Sequence, residues 1–198
     1  MQREDWDRRY ADSEFLWSME PNRFVVRELG DLPPGRALDL ACGEGRNAVW
    51  LAERGWQVTA VDFSQVGLQK ARQLAEARGV TVDWVLADVR EYQPENGAYL
   101  LVLVTYLQIP PVERAAVLLD ACSALGPGGV LLVIGHDLAN LSDGVGGPQD
   151  PALLYTPEAI AAELSGLLVQ RAERVRRPVE VDGQTQDAID TLVRAVRP

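Results

Sequence analysis

The chain is poor in the residues on which several large classes of protein depend. Its 198 residues include two cysteines, one histidine, two methionines and three phenylalanines, and 19 basic residues stand against 29 acidic ones. Cys42 and Cys122 have neither metal-ligand spacing nor the density of a disulfide framework, which excludes a zinc module and a stapled secreted scaffold. Cys42 sits in a glycine loop and reads as a small loop residue rather than a nucleophile. The longest apolar run, "AYLLVLVTYLQI" at 98–109, falls short of the roughly 20 residues that a membrane helix needs. The opening "MQREDWDRRYA" has no signal-peptide apolar core. The expectation is a cytoplasmic protein without a membrane partner. A net charge of −10 argues against a general nucleic-acid binder, because that affinity comes from neutralising phosphates with Lys and Arg. The arginines at 171–177, with Glu173 among them, read as a solvated edge.

What the chain does have is alternation. Strand-like runs recur at 36–41, 57–62, 81–87, 99–105 and 129–135, with weaker ones near 167–176 and 188–196. Several are continuously apolar, the pattern of strands covered on both faces. Amphipathic segments fill 45–54, 64–78 and 111–125. Ser64 caps the second of these and Gly79 ends it; "PP" at 110–111 opens the third, and "GPGG" at 126–129 turns the chain back toward a strand. The expected fold is α/β and Rossmann-like, a mostly parallel seven-stranded sheet with helices on both faces, in a single domain over 1–198. Residues 136–156 are rich in Gly, Pro, Asp and Asn and too long for an ordinary connection, so they are expected to form a substrate lid. Thr156 caps the helix that follows, with Pro157 in its first turn.

Such sheets bind ligands beyond the carboxyl ends of their strands. The residues at those positions are Asp39–Gly45, Asp62 and Phe63, Asp88 and Val89, Thr105–Gln108, then His136 and Asp137. Gly43-x-Gly45-x-x-Ala48 fits the dinucleotide fingerprint, with Asp62 near the distance expected for a ribose-binding carboxylate. Asp39 and Glu44 would repel a pyrophosphate. S-adenosylmethionine suits them better, because its sulfonium and ammonium are cationic and it carries no phosphate.

The stretch "LDLACGEGRNAVWLAERGWQVTAVDFS" resembles the cofactor segment of the class I S-adenosylmethionine-dependent methyltransferases. Its "CGEGRN" is similar to the small bacterial branch that includes the tellurite-resistance and thiopurine-type enzymes. The resemblance covers residues 5–135, and 1–34 resemble that branch's cofactor-capping segment. It implies that Asp39 and the backbone of Ala41–Gly43 hold the methionine part and that Gly45 allows a close approach. Asp62 would take the ribose hydroxyls, Phe63 would pack on the adenine, and Asp88 and the Val89 N–H would read its edge. Thr105 would face the methionine end, with Trp17 or Tyr10 closing over it. Arg46 and Asn47 match the branch and could equally pin the loop.

Methyl transfer to a hydroxyl is helped by a base, and His136, the sole histidine, follows the fifth strand and carries the side-chain type most often used for that role. Asp137 could orient it, and Tyr106 and Tyr155 are expected to wall the acceptor pocket. Asp137, Asn140, Asp143 and Asp150 are ordinary loop residues in this reading, and no metal is assigned. The expected function is O-methylation of a small hydroxylated metabolite such as a sugar, phenol or quinol. The alternatives are an N-, S- or chalcogen methyltransferase, a small NAD(P)-dependent oxidoreductase, and a catalytically silent S-adenosylmethionine-binding module.

Overall fold

The computed structural model describes residues 2–13, 15–181 and 183–198. The elements run α1 (Arg3–Ala11), α2 (Arg23–Leu29), β1 (Arg36–Leu40), α3 (Arg46–Glu53), β2 (Gln57–Asp62), α4 (Gln65–Ala77), β3 (Asp83–Leu86), β4 (Tyr99–Thr105), α5 (Pro111–Ala124) and β5 (Leu125–His136). Then come α6 (Asn140–Asp143), a 3-10 turn (Pro151–Leu153), α7 (Pro157–Glu163), β6 (Leu168–Val181) and β7 (Gln184–Val196). The strands form one seven-stranded sheet in the order β3-β2-β1-β4-β5-β7-β6. β1 pairs in parallel with β2, and β2 with β3. β7 is antiparallel to both β5 and β6. This is the Rossmann-like seven-stranded sheet that the alternation predicts, with an antiparallel hairpin at one edge. No helix among the described residues is long and apolar enough to cross a membrane.

The described residues fall into two compact units: those up to Gln93 together with Ala98–Leu103, and Pro94–Gly97 together with Val104–Pro198. In the first, α4 starts where Ser64 Oγ accepts from the Gly67 N–H at 3.0 Å, the cap read from the sequence. Its buried residues Leu68, Ala71, Leu74 and Ala75 lie three and four apart, one face of a helix. Asn22 caps α2 by accepting from Phe24, and its own N–H donates to Asn47 Oδ1 at 2.9 Å. Asn47 therefore pins the α2 entrance.

In the second unit, Pro111 begins α5, and Thr156 caps α7 through the Ala159 N–H. β6 continues past Pro178 to Val181, well beyond the weak run read from the sequence. Pro178 is tolerated because β6 is the last strand in the sheet, where a missing N–H leaves no ladder partner unpaired. Residues 136–156 are tied both internally and to β7, bonding that the lid reading did not anticipate. Asn140 Oδ1 accepts from the Ile189 N–H at 2.7 Å, its amide donates to the Val145 and Gly146 carbonyls, and Val145 N–H donates to the Asp187 carbonyl.

Candidate active site

In the first unit the chain leaves β1 through three left-handed residues: Ala41 at φ 60°, Gly43 at φ 56° and Gly45 at φ 78°. Ala41 and Tyr106 are the two non-glycine residues of this kind among those described. Such strain costs about 1–3 kcal/mol and collects at functional sites. A Cβ on Gly43 would lie 2.8 Å from the Tyr10 hydroxyl, so α1 closes against this turn. Gly45 has a packing reason as well. Its Cβ would meet Ala71 and Trp84 at 2.7 Å, so the glycine lets α3 start against α4 and β3.

Three carboxylates surround the turn and behave differently. Asp39 is fully buried, and among the described residues neither of its oxygens has a hydrogen-bond partner. Burial, then the charge of Asp62, pushes its pKa up to about 8 against the opposing pull of Arg46. Asp62 accepts from the Gly43 N–H and the Ser64 N–H, each at 2.8 Å, so it braces the turn. Burial raises its pKa as well, against those two hydrogen bonds. Glu44 turns away from the position the sequence suggested for it. It accepts from the Leu16 and Trp17 N–H groups at 3.0–3.1 Å and pairs with Lys70 Nζ at 3.2 Å, fastening the segment after α1.

Lys70 also donates to the carbonyls of Tyr10 and Ser13, and Asp7 receives Ser64 Oγ, so α1 is held at its middle and at its C-terminal end. Tyr10 is buried, whereas the Trp17 side chain is 44% exposed beside Phe15, Ser18 and Met19 around an open hollow of about 420 Å³. Burial and the charges of Asp62 and Glu44 raise the Tyr10 pKa and outweigh the opposing influence of Trp17. Burial with Asp62 and Asp39 likewise raises the Cys42 thiol, so it is no thiolate nucleophile at neutral pH. Phe63 is half-buried and Val89 buried. Asp88 is engaged by Arg90, whose Nη2 lies at 2.6 Å and whose N–H lies at 3.0 Å, and the Arg90 side chain lowers its pKa.

The second unit holds a separate cluster that sequence reading found only in part. His136 and Asp190 are direct partners in the β5–β7 register. His136 Nδ1 lies 3.3 Å from Asp190 Oδ1, and Asp190 is fully buried. The other oxygen, Oδ2, accepts from the Tyr106 hydroxyl at 2.8 Å and from Arg177 Nε at 2.9 Å. Burial alone would raise the Asp190 pKa, but His136 and Arg177 outweigh it and hold the carboxyl below its usual range. The Tyr106 ring lies 5.0 Å from the imidazole, and Gly147, at φ 74°, packs so tightly that a Cβ would come within 2.9 Å of the His136 ring.

Several expectations are corrected here. Asp137 does not orient His136. It is fully buried and receives Arg174 Nε at 2.8 Å, the Thr191 hydroxyl at 2.6 Å and the Ala139 N–H at 2.8 Å. Successive residues leave a strand on opposite sides, so Asp190 takes the role across the ladder. The arginines at 171–177 are not simply a solvated edge. Arg174 and Arg177 neutralise two buried aspartates, while Arg171 and Arg176 pair at the surface. Tyr155 is not a pocket wall, because it is fully buried, donates its hydroxyl to the Leu107 carbonyl and carries Arg114 stacked 4.9 Å from its ring. Thr105 is half-buried at the end of β4. Asp150 caps the 3-10 turn through the Ala152 N–H. Among the described residues no three His, Cys, Asp or Glu side chains converge as a metal site.

With this geometry in place, the chain compares with known proteins as follows. The family described as "Methyltransferase domain" matches residues 37–129. The ubiquinone biosynthesis O-methyltransferase of Bordetella pertussis is 33% identical over 129 residues, covering 63% of this chain and 52% of the relative. The 2-heptyl-1-hydroxyquinolin-4(1H)-one methyltransferase of Mycobacteroides abscessus is 31% identical over 139 residues, covering 67% of this chain and 61% of the relative. The chain thus spans little more than half the length of these curated relatives. The N-methyltransferase NodS of Bradyrhizobium japonicum, solved with S-adenosyl-L-homocysteine, superposes with a TM-score of 0.73 at 18% identity, covering 99% of this chain and 98% of NodS.

Proposed function

We propose, from the match of residues 37–129 to the methyltransferase domain family, that the protein transfers the methyl group of S-adenosylmethionine to a hydroxyl of a small molecule. The observation that carries this reading is Asp39. A fully buried carboxylate with two unpartnered oxygens beside a strained turn is costly unless a cation arrives to pair with it. The residues fit the cofactor in chemistry. Asp39 suits the methionine ammonium, and Asp62 keeps one lone pair on each oxygen for ribose hydroxyls beyond those used by Gly43 and Ser64.

When bound, S-adenosylmethionine supplies an electrophilic methyl carbon on a cationic sulfur. The chain supplies alignment and water exclusion, which dominate such displacements. Phe63, Val89, Thr105 and Trp17 complete the cofactor's surroundings in this reading, and Asp88 shares its carboxylate between Arg90 and the adenine amino group. His136 accepts the proton of the acceptor hydroxyl, and Tyr106 lies against its ring. The hydroxyl preference draws support from His136 and from the relatives that are O-methyltransferases or act on a hydroxyquinolone. The acidic balance of the chain favours a small-molecule acceptor over nucleic acid.

A thermal-shift titration with S-adenosylhomocysteine and NADH side by side tests the reading. A ligand at 100 times its Kd adds about 2.7 kcal/mol of stability, and only the sulfur compound is expected to do so. Asp62→Ala should weaken it by about 1.5–3 kcal/mol, the usual value of hydrogen bonds to a charged group. Stabilisation by NADH alone would refute the proposal.

A further inference from the structure

We infer that Asp190 is a positioning residue that fixes the tautomer of His136, placing the ring hydrogen on Nδ1 and leaving Nε2 as the basic nitrogen. Two buried polar atoms in the second unit face one another without any other hydrogen-bond partner among the described residues: His136 Nδ1 and Asp190 Oδ1, 3.3 Å apart. An unsatisfied buried polar atom costs about 1–3 kcal/mol. One arrangement satisfies both. If Nδ1 carries the hydrogen it can donate to Oδ1; if Nε2 carries it, two lone pairs confront each other in a buried site.

The surroundings hold Asp190 to this task. Arg177 Nε and the Tyr106 hydroxyl both donate to Oδ2, which leaves Oδ1 facing the imidazole. The antiparallel register sets His136 directly opposite Asp190. The His136 N–H donates to Gln108 Oε1 at 2.8 Å, which fixes the end of β5. Gly147 packs on Cγ, Cδ2 and Nδ1, so the Asp190-facing side of the ring is enclosed. The five-membered ring directs Nε2 away from Asp190.

The consequence for chemistry rests on the methyltransferase reading. In that reading the acceptor oxygen's bond to the methyl carbon would form as that carbon's bond to sulfur breaks and S-adenosylhomocysteine leaves; the hydroxyl proton would move to Nε2, and the resulting imidazolium would face the Asp190 carboxylate. The proton then passes to solvent. An acid that fixes the ring's orientation and tautomer makes a histidine base competent without itself being protonated.

Because the chain contains one histidine, a long-range ¹H–¹⁵N spectrum of the ¹⁵N-labelled protein, recorded where the ring is neutral, reads this site alone. The expected pattern is a protonated Nδ1 and a bare Nε2. A wild-type spectrum with the hydrogen on Nε2 overturns the inference, and this measurement needs no variant. In Asp190→Asn the remaining carbonyl oxygen should stay with Arg177 and Tyr106 and turn its NH₂ toward Nδ1, inverting the tautomer. An unchanged tautomer in the folded variant also overturns it.

With an accepted hydroxyl acceptor, Asp190→Asn should lower kcat by up to the roughly 10²- to 10⁴-fold that a general base supplies, with S-adenosylhomocysteine affinity unchanged. An undiminished kcat refutes the positioning role. Failure of wild-type protein to bind S-adenosylhomocysteine would count against the methyltransferase reading, while the tautomer would still decide the role of Asp190.

Discussion

Asp39 in the first unit and Asp190 in the second are equally buried, each with no exposed surface, yet their electrostatic situations are opposite. Asp190 has Arg177 and a tyrosine hydroxyl on one oxygen and His136 facing the other, and its pKa is held low. Asp39 has no hydrogen-bond partner among the described residues, and its pKa is pushed up to about 8. One carboxylate is compensated by the fold, and the other is the one proposed to meet the ammonium of the cofactor. Burial alone therefore does not single out a candidate binding residue; the missing counter-ion is what distinguishes Asp39.

The strongest way to break this comparison is to remove a counter-ion. Arg177→Ala leaves the Asp190 charge with only neutral donors and His136, and loss of one partner of a buried pair costs about 3–5 kcal/mol. Urea unfolding should show that loss, whereas Asp39→Asn should leave the ligand-free protein as stable or more so. Equal destabilisation by the two substitutions would erase the distinction.

The second test is the pH dependence of stability. A raised folded pKa means that the native state holds a proton that the unfolded chain has released. Stability should therefore fall as pH rises from about 4, the ordinary carboxylate value, to about 8. The slope is at most about 1.4 kcal/mol per pH unit for each such group. Asp62, also raised, adds to it with the same sign. Asp190 acts the other way: its contribution is present above the ordinary carboxylate value and is lost as pH falls through its lower folded pKa. Unfolding midpoints across this range should show Asp39→Asn flattening the neutral limb and Asp190→Asn flattening the acid limb. Saturating S-adenosylhomocysteine should also flatten the neutral limb.

The smallest effect separates tight packing from backbone strain. Gly147→Ala and Gly79→Ala both force a side chain onto a left-handed residue, at φ 74° and φ 67°, costing about 1–2 kcal/mol. Only at Gly147 does the new carbon meet the His136 ring; around Gly79 there is open space. The Gly147 variant should therefore lose more stability and shift the histidine resonances, while the Gly79 variant leaves them in place. Equal effects would show that the ring is not enclosed there.

Much of the first region could be read in the chain because its parts lie close together. The turn at 41–45 and Asp62 belong to one β-α-β stretch, and their roles follow from strand ends and glycines. Glu44 was misread because nothing local shows that its carboxylate turns to Leu16, Trp17 and Lys70. The packing reason for Gly45 was not legible because its contacts with Ala71 and Trp84 come from separate elements. In the second region His136 was visible as a lone histidine after a strand, but Asp190 lies 54 positions away in an ordinary-looking run. Its importance comes from antiparallel register, which a one-residue slip would cancel. The same alternation hid the arginines, since Arg174 and Arg177 leave β6 on opposite faces to meet Asp137 and Asp190.

The sequence by itself determined the order of strands and helices, the caps at Ser64 and Thr156, and the acid-rich glycine turn after β1, because periodicity, capping and turn chemistry act over a few residues. Only the tertiary structure decided which buried acids are neutralised and which is left unpaired. Counter-ions are brought together by strand pairing and helix packing across tens of residues, and the free energy of a charge depends on what surrounds it in space.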